Sequence, residues 1–229
     1  MAVDRVRLPD GDVVIFDEWL HWPVFSTVEW SASSAVRLRA FSYVVGQKVP
    51  SRGLASRQST PADTNQIAKS RMNWDEAFRV FSMTYEAFGL SDAEIEDGND
   101  GSILVSPGPM LSATNLRRLQ RDVLITLKVG VDIEKGQVHA PFSYFHQGIG
   151  PVYQGSGDSS DAAQALQAGT GGDVSPSSQR RYAFPIKIGE DRTMQLLIAT
   201  GPTGAIEGLD QDVRLRWYLD GVKRRPAMG

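Results

Sequence analysis

The chain contains no cysteine. That excludes disulfides, thiolate metal sites and a cysteine nucleophile, and argues against a small secreted scaffold, which usually depends on disulfides. No run approaches the ~18 apolar residues that a membrane-crossing helix needs. The stretch from Met1 to Pro9 is polar and charged, without the apolar centre of a secretory signal, so synthesis in a cytoplasm is expected. Charge of one sign is also missing. A net charge of −3 sets up no global field that would draw in nucleic acid or an anionic membrane. Lysine is scarce, because 18 of the 24 basic residues are arginine. Arginine forms planar, bidentate contacts and is favoured at interfaces, so this bias points to a surface that meets partners.

Recognisable catalytic motifs are lacking too. There is no G-x-S-x-G elbow, and Gly155-Ser156-Gly157 has no strand-turn-helix pattern around it. Gly169-Thr170-Gly171-Gly172 is not followed by Lys-Ser/Thr and a helix, so it is not a phosphate loop. His139 and His146 lie seven residues apart, which in one regular strand places them on opposite faces. Packing or hydrogen bonding is therefore expected of them rather than a shared metal. The acidic stretch Asp92 to Asp100 is rich in oxygen donors but lacks the spacing of a calcium loop, and reads as a solvated turn. A glycosidase-type carboxylate pair stays open, because the fold sets the separation of such a pair. Asp17 and Glu18, being adjacent, would point to opposite faces of a strand. No cofactor and no metal are expected, and the chain is not read as an enzyme.

What the sequence does contain is period-two alternation, the mark of half-buried strands. Val36, Leu38 and Ala40 share one face in Val36–Val45, with Arg37 and Arg39 on the other. Val123, Ile125, Leu127, Val129, Val131 and Ile133 form the longest series. Val213, Leu215, Trp217 and Leu219 alternate with Arg214, Arg216, Tyr218 and Asp220. Further strands are expected at Val24–Trp30, Phe78–Phe88, Ile103–Ser106 and Gln137–Tyr144. Pro9-Asp10-Gly11 predicts a hairpin between Arg5–Leu8 and Asp12–Phe16. Gly189-Glu190-Asp191 predicts another between Phe184–Ile188 and Thr193–Thr200, and Asp220-Gly221 a tight turn before Val222–Arg225. Helical pattern is limited to Ala113–Gln120, with Ser112 or Thr114 as cap, and Asp161–Ala168. Neither is long enough to connect parallel strands. Residues 50–70, 91–102 and 155–178 read as long loops within one domain spanning 1–229. The expected fold is all-β, a β-sandwich in the form of a single jelly roll with long loops and one or two short helices.

The sequence also has an aromatic cluster of Trp19, Trp22, Phe25 and Trp30. Such groups serve in a core, at a subunit contact, or as carbohydrate platforms. With Arg37, Arg39, Arg214 and Arg216 on polar strand faces, Trp19, Trp22 and Phe25 are the candidate subunit-interface residues. Those arginines also suit phosphates of nucleic acid or lipid headgroups.

The alternating strands Ala35–Val45, Arg121–Ile133 and Phe184–Thr200, the Gly/Ser-rich loop and the closing strand Val213–Asp220 together resemble the jelly-roll capsid proteins of tailless icosahedral bacteriophages. The resemblance covers most of the chain and rests on pattern. It implies eight strands in two sheets, self-association into a shell, residence in the virion, and partners that are copies of the same chain and other virion proteins. It implies no catalytic residues. The alternative expectation is a carbohydrate-binding or glycan-processing β-sandwich.

Overall fold

The computed structural model describes residues 5–7, 11–15, 19–32, 37–49, 57–72, 77–89, 111, 113–130, 137–147, 153–154, 168–169, 181–190, 192–200, 206, 209 and 212–224. In chain order the elements are β1 (Arg5–Arg7), β2 (Val13–Ile15), β3 (Trp19–His21), β4 (Val24–Trp30), β5 (Arg37–Ala40) and β6 (Phe78–Gly89). Next come helix α1 (Ala113–Asp122), β7 (Val123–Val129), β8 (Val138–Pro141), a 3-10 turn (Phe142–Tyr144) and β9 (His146–Gln147). The rest are β10 (Tyr153–Gln154), β11 (Ala168–Gly169), β12 (Arg181–Ile188), β13 (Met194–Thr200) and β14 (Val213–Arg224).

Two antiparallel sheets face each other. One runs β12-β6-β14, with β3 and β4 in succession along the far edge of β14 and β9 a short parallel addition to β6. The other runs β5-β13-β7-β8. Number the eight sandwich strands β4, β5, β6, β7, β8, β12, β13 and β14 in order. The sheets then read first-eighth-third-sixth and second-seventh-fourth-fifth. This is the interleaved order of a jelly roll, an all-β sandwich as expected.

The core lies between the sheets and follows the alternation. Leu38, Ile125, Leu127, Leu196, Ile198, Leu215 and Trp217 are all buried. Phe142 and Phe145, from the segment after β8, pack edge-on against Trp217 with ring centroids 5.5 and 5.3 Å away. Helix α1 turns Leu116 and Leu119 towards this core, and its Gln120 amide donates to the Tyr85 hydroxyl at 3.2 Å. No helix among the described residues is long and apolar enough to cross a membrane.

Several local expectations are corrected. β12 and β13 do not form a hairpin: β12 pairs with β6 in one sheet and β13 with β5 and β7 in the other, so Gly189-Glu190 turns the chain between layers. Asp220-Gly221 is not a turn. β14 runs through it with a register shift against β6, and a Cβ on Gly221 would lie 1.9 Å from the Arg79 carbonyl oxygen. The bulge thus needs a residue without a side chain. β5 ends at Ala40, where Phe41 adopts a left-handed φ of 60° and donates its N–H to Ser26 Oγ at 2.9 Å. β8 ends at Pro141, where the 3-10 turn tucks Phe142 into the core. α1 runs two residues past Gln120, with Thr114 inside it rather than capping it. Ala168, expected to end a helix, begins β11 instead, paired with β10.

The two strands of the hairpin expected around Pro9-Asp10-Gly11 are present as the antiparallel pair β1 and β2, while Pro9 and Asp10 themselves lie outside the described residues. Val129 is partly buried, and β7 ends there, just before Gly130, whose φ is 88°. Val36, Val131, Ile133, the strand at Ile103–Ser106, Asp17, Glu18 and the acidic stretch fall outside the described residues, as do residues 51–56 and most of 155–178.

Candidate functional site

β14 places its even-numbered side chains on the outer face of the larger sheet. Register sets Arg214 between Phe88 and Glu29, Arg216 between Glu86 and Thr27, and Tyr218 between Thr84 and Phe25. Glu29 is almost fully buried, and Arg214 meets its Oε1 at 3.3 Å. Arg216 meets Glu86 Oε2 at 3.3 Å, with its guanidinium 6.0 Å from the Phe25 ring and 5.9 Å from the Phe88 ring. Tyr218 donates its hydroxyl to the same Glu86 oxygen at 2.8 Å and packs on Phe25 with centroids 5.9 Å apart. Burial, outweighing the Arg216 hydrogen bond, pushes the Tyr218 hydroxyl up to about 12. Arg214 and Arg216 are thus neutralised within the chain, and Phe25 is half-buried under one of them.

The outer edge of β4 is closed by residues 57–66. Thr27 N–H donates to the Asp63 carbonyl at 2.8 Å, Phe25 N–H donates to Asn65 Oδ1 at 2.9 Å, and Asn65 Nδ2 donates to the Pro23 carbonyl at 2.7 Å. Covering an edge strand in this way satisfies backbone groups that would otherwise template another chain. Within the cover, Arg57 bridges two carboxylates, reaching Glu29 Oε1 at 2.8 Å and both oxygens of Asp63 at 2.8 and 2.7 Å. Burial alone would raise the Asp63 carboxyl. The Arg57 guanidinium and the Thr60 N–H and hydroxyl outweigh burial and hold it below its ordinary value. Tyr43 donates its hydroxyl to the Thr27 carbonyl, and burial pushes that hydroxyl well above its ordinary value. Sequence reasoning missed Arg57 and Asp63, because nothing local ties a polar loop to a strand about thirty residues away.

Trp19 is half-buried, with the Arg79 guanidinium 5.2 Å from its ring centroid. Arg79 and Lys187 both bind Asp12, at 2.6 and 2.8 Å, which ties the β1–β2 turn to the sheet. Trp22 is 44% exposed, with the Lys223 ammonium 5.2 Å from its ring. It borders a shallow crevice with Asn65, Ile67, Arg71 and Met194, floored by Gln66. The Gln66 side chain is buried, and neither amide atom has a hydrogen-bond partner among the described residues.

Arg37 and Arg39 lie elsewhere. They are exposed on β5, at the edge of the smaller sheet, and do not share a surface with Trp19, Trp22 and Phe25. The seven candidates therefore divide into one group on the larger sheet and one arginine pair on the smaller. His139 Nδ1 lies 2.9 Å from Thr126 Oγ1 on the neighbouring strand, and His21 Nε2 lies 2.9 Å from Asp220.

Large apolar side chains are exposed at both ends of the larger sheet. Trp22 and Ile67, the latter 73% exposed, flank the β3–β4 edge. At the opposite edge stand Phe184, 72% exposed on the irregular strand β12, and Tyr144, 38% exposed just before β9. No family model, curated protein or solved structure matches the chain.

Proposed function

We propose that the chain is a structural subunit of a virus-like shell that works by associating with copies of itself, without turnover or cofactor. One observation carries the reading: a jelly roll with exposed apolar side chains at two opposite edges of one sheet, Trp22 and Ile67 on one side, Phe184 and Tyr144 on the other. Two different patches at opposite ends favour head-to-tail contacts, which close into rings and shells when the rotation allows. Aromatic anchors with a polar rim are the chemistry of such contacts. Fold-level likeness to capsid domains adds to this only as analogy.

The experiment is light scattering and electron microscopy of the purified protein over a concentration series. Assemblies are expected, and Trp19→Ala with Trp22→Ala should weaken them more than they lower the unfolding midpoint. A protein that stays monomeric throughout the series overturns the proposal.

A second reading rests on Trp22, 44% exposed at the rim of the crevice, because an exposed indole ring suits the face of a sugar. Glycan-array binding lost in Trp22→Ala, from a protein that remains monomeric, would favour it.

A further inference from the structure

The outer face of the smaller sheet differs in charge from that of the larger one. Strand register brings three rows of side chains to it. Arg37, Ala199, Leu124 and Pro141 form one, and Arg39, Leu197, Thr126 and His139 the next. Gln195 and Lys128 form the third. Inward neighbours Leu38, Leu196, Ile198, Ile125 and Leu127 are buried, so these rows are the sheet's outward side. Arg37, Arg39 and His139 are exposed and Leu124 is 36% exposed, while Lys128, Gln195, Leu197 and Ala199 are half-buried and Thr126 is buried, so the face is open chiefly along its β5 edge and around His139. Among the described residues it holds no carboxylate. The three permanent cations, Arg37, Arg39 and Lys128, form no ion pair among the described residues, whereas every outward arginine of β14 in the larger sheet has a carboxylate partner.

We propose that this face binds the phosphate backbone of a nucleic acid without reading its sequence. Arg37 and Arg39 stand two residues apart on one strand, about 7 Å along its axis. Their guanidinium forks suit successive phosphates of an extended strand. The face offers aliphatic Leu124, Leu197 and Ala199 between the cations. Among the described residues its one aromatic ring is the His139 imidazole, which is hydrogen-bonded to Thr126 at the far edge of the sheet from Arg37 and Arg39, so contact is to phosphate rather than base. A polybasic membrane site generally gathers four or more cations, which sets a lipid surface second. The inference stands on this face alone and does not require self-association.

The test is fluorescence anisotropy of the full chain with a labelled, mixed-sequence single-stranded oligonucleotide, between 50 and 200 mM salt. Three phosphate contacts predict a loss of about 20-fold in affinity across that range, and one contact about 3-fold. Arg37→Gln with Arg39→Gln should move the protein from the first behaviour to the second, with scrambled sequences binding equally. Arg5→Gln with Arg7→Gln, which removes two exposed arginines of the β1–β2 hairpin, should change neither. Absence of binding, a salt dependence untouched by the β5 variant, or capture by anionic phosphatidylserine vesicles without oligonucleotide binding would each overturn the proposal. Light scattering on the same variant separates this result from the fate of the shell reading, because loss of oligonucleotide binding with assembly intact concerns this face only.

Discussion

Arg57 sits between Glu29 and Asp63, both nearly inaccessible to water, and holds them in one cluster with Arg214. Removing one partner from a buried ion pair leaves charge without compensation, and here two carboxylates lose the same partner. Arg57→Ala should therefore cost ~3–5 kcal/mol, read from urea unfolding midpoints at neutral pH. The same cluster sets an acid limit. Asp63 is held below its ordinary value in the folded chain, so the unfolded chain takes up the proton first. Its contribution is whole above the unfolded carboxylate range near pH 4 and is lost as pH falls through the lower folded value. Urea midpoints measured downwards from pH 6 should drop more steeply for the native chain than for Asp63→Asn, which has no such proton to bind. At Gly221 the constraint is space. A methyl group would meet the Arg79 carbonyl, and Gly221→Ala should cost ~3 kcal/mol by thermal or urea unfolding.

At the scale of elements, β7 and β14 supply the two centres of the sandwich. Ile125 and Leu215 are fully buried there. Truncating either to Ala should cost ~2–5 kcal/mol from lost transfer energy plus the cavity, measured by chemical unfolding; under ~1 kcal/mol at both would mean the core lies elsewhere. These strands were legible because one face meets the core and the other meets water, which writes a period of two into the chain. β4 was read with its bounds intact, Val24–Trp30, but not its burial on both sides: Thr27 and Glu29 on its outer side are also buried, beneath residues 57–66. The turn at Gly189-Glu190 was misread as a hairpin because a short polar turn has the same local chemistry whether it returns along one sheet or steps to the other. The partner is chosen by packing far away in sequence. Gly221 was misread for a related reason: glycine marks both turns and close backbone approaches, and only the neighbouring β6 separates the two. Of the candidate site, aromatic exposure at Trp22 was foreseeable from clustering, but the pairing of Arg214 and Arg216 with Glu29 and Glu86 was not, because cross-strand register depends on the whole sheet.

For the whole molecule, a head-to-tail contact between the Trp22 edge and the Phe184 edge makes a specific prediction. Trp22→Ala disables one edge and Phe184→Ser the other, so each variant alone should fail to grow beyond small species. An equimolar mixture retains one intact pair of edges and should give heterodimers, and no larger assembly, by light scattering. If each variant assembles as well as the native chain, the contact lies elsewhere.

The position of β14 between β4 and β6 also bears on how the chain is made. The middle strand of the larger sheet is the last of the described strands to be synthesised. Until it arrives, β4 and β6 have no bridge between them and present long open edges during translation. Sheet formation must then wait for contacts spanning nearly two hundred residues, a topology that folds slowly. Nascent chains halted before residue 213 should therefore be captured by chaperones or aggregate, and release of β14 should commit the whole sandwich to fold at once.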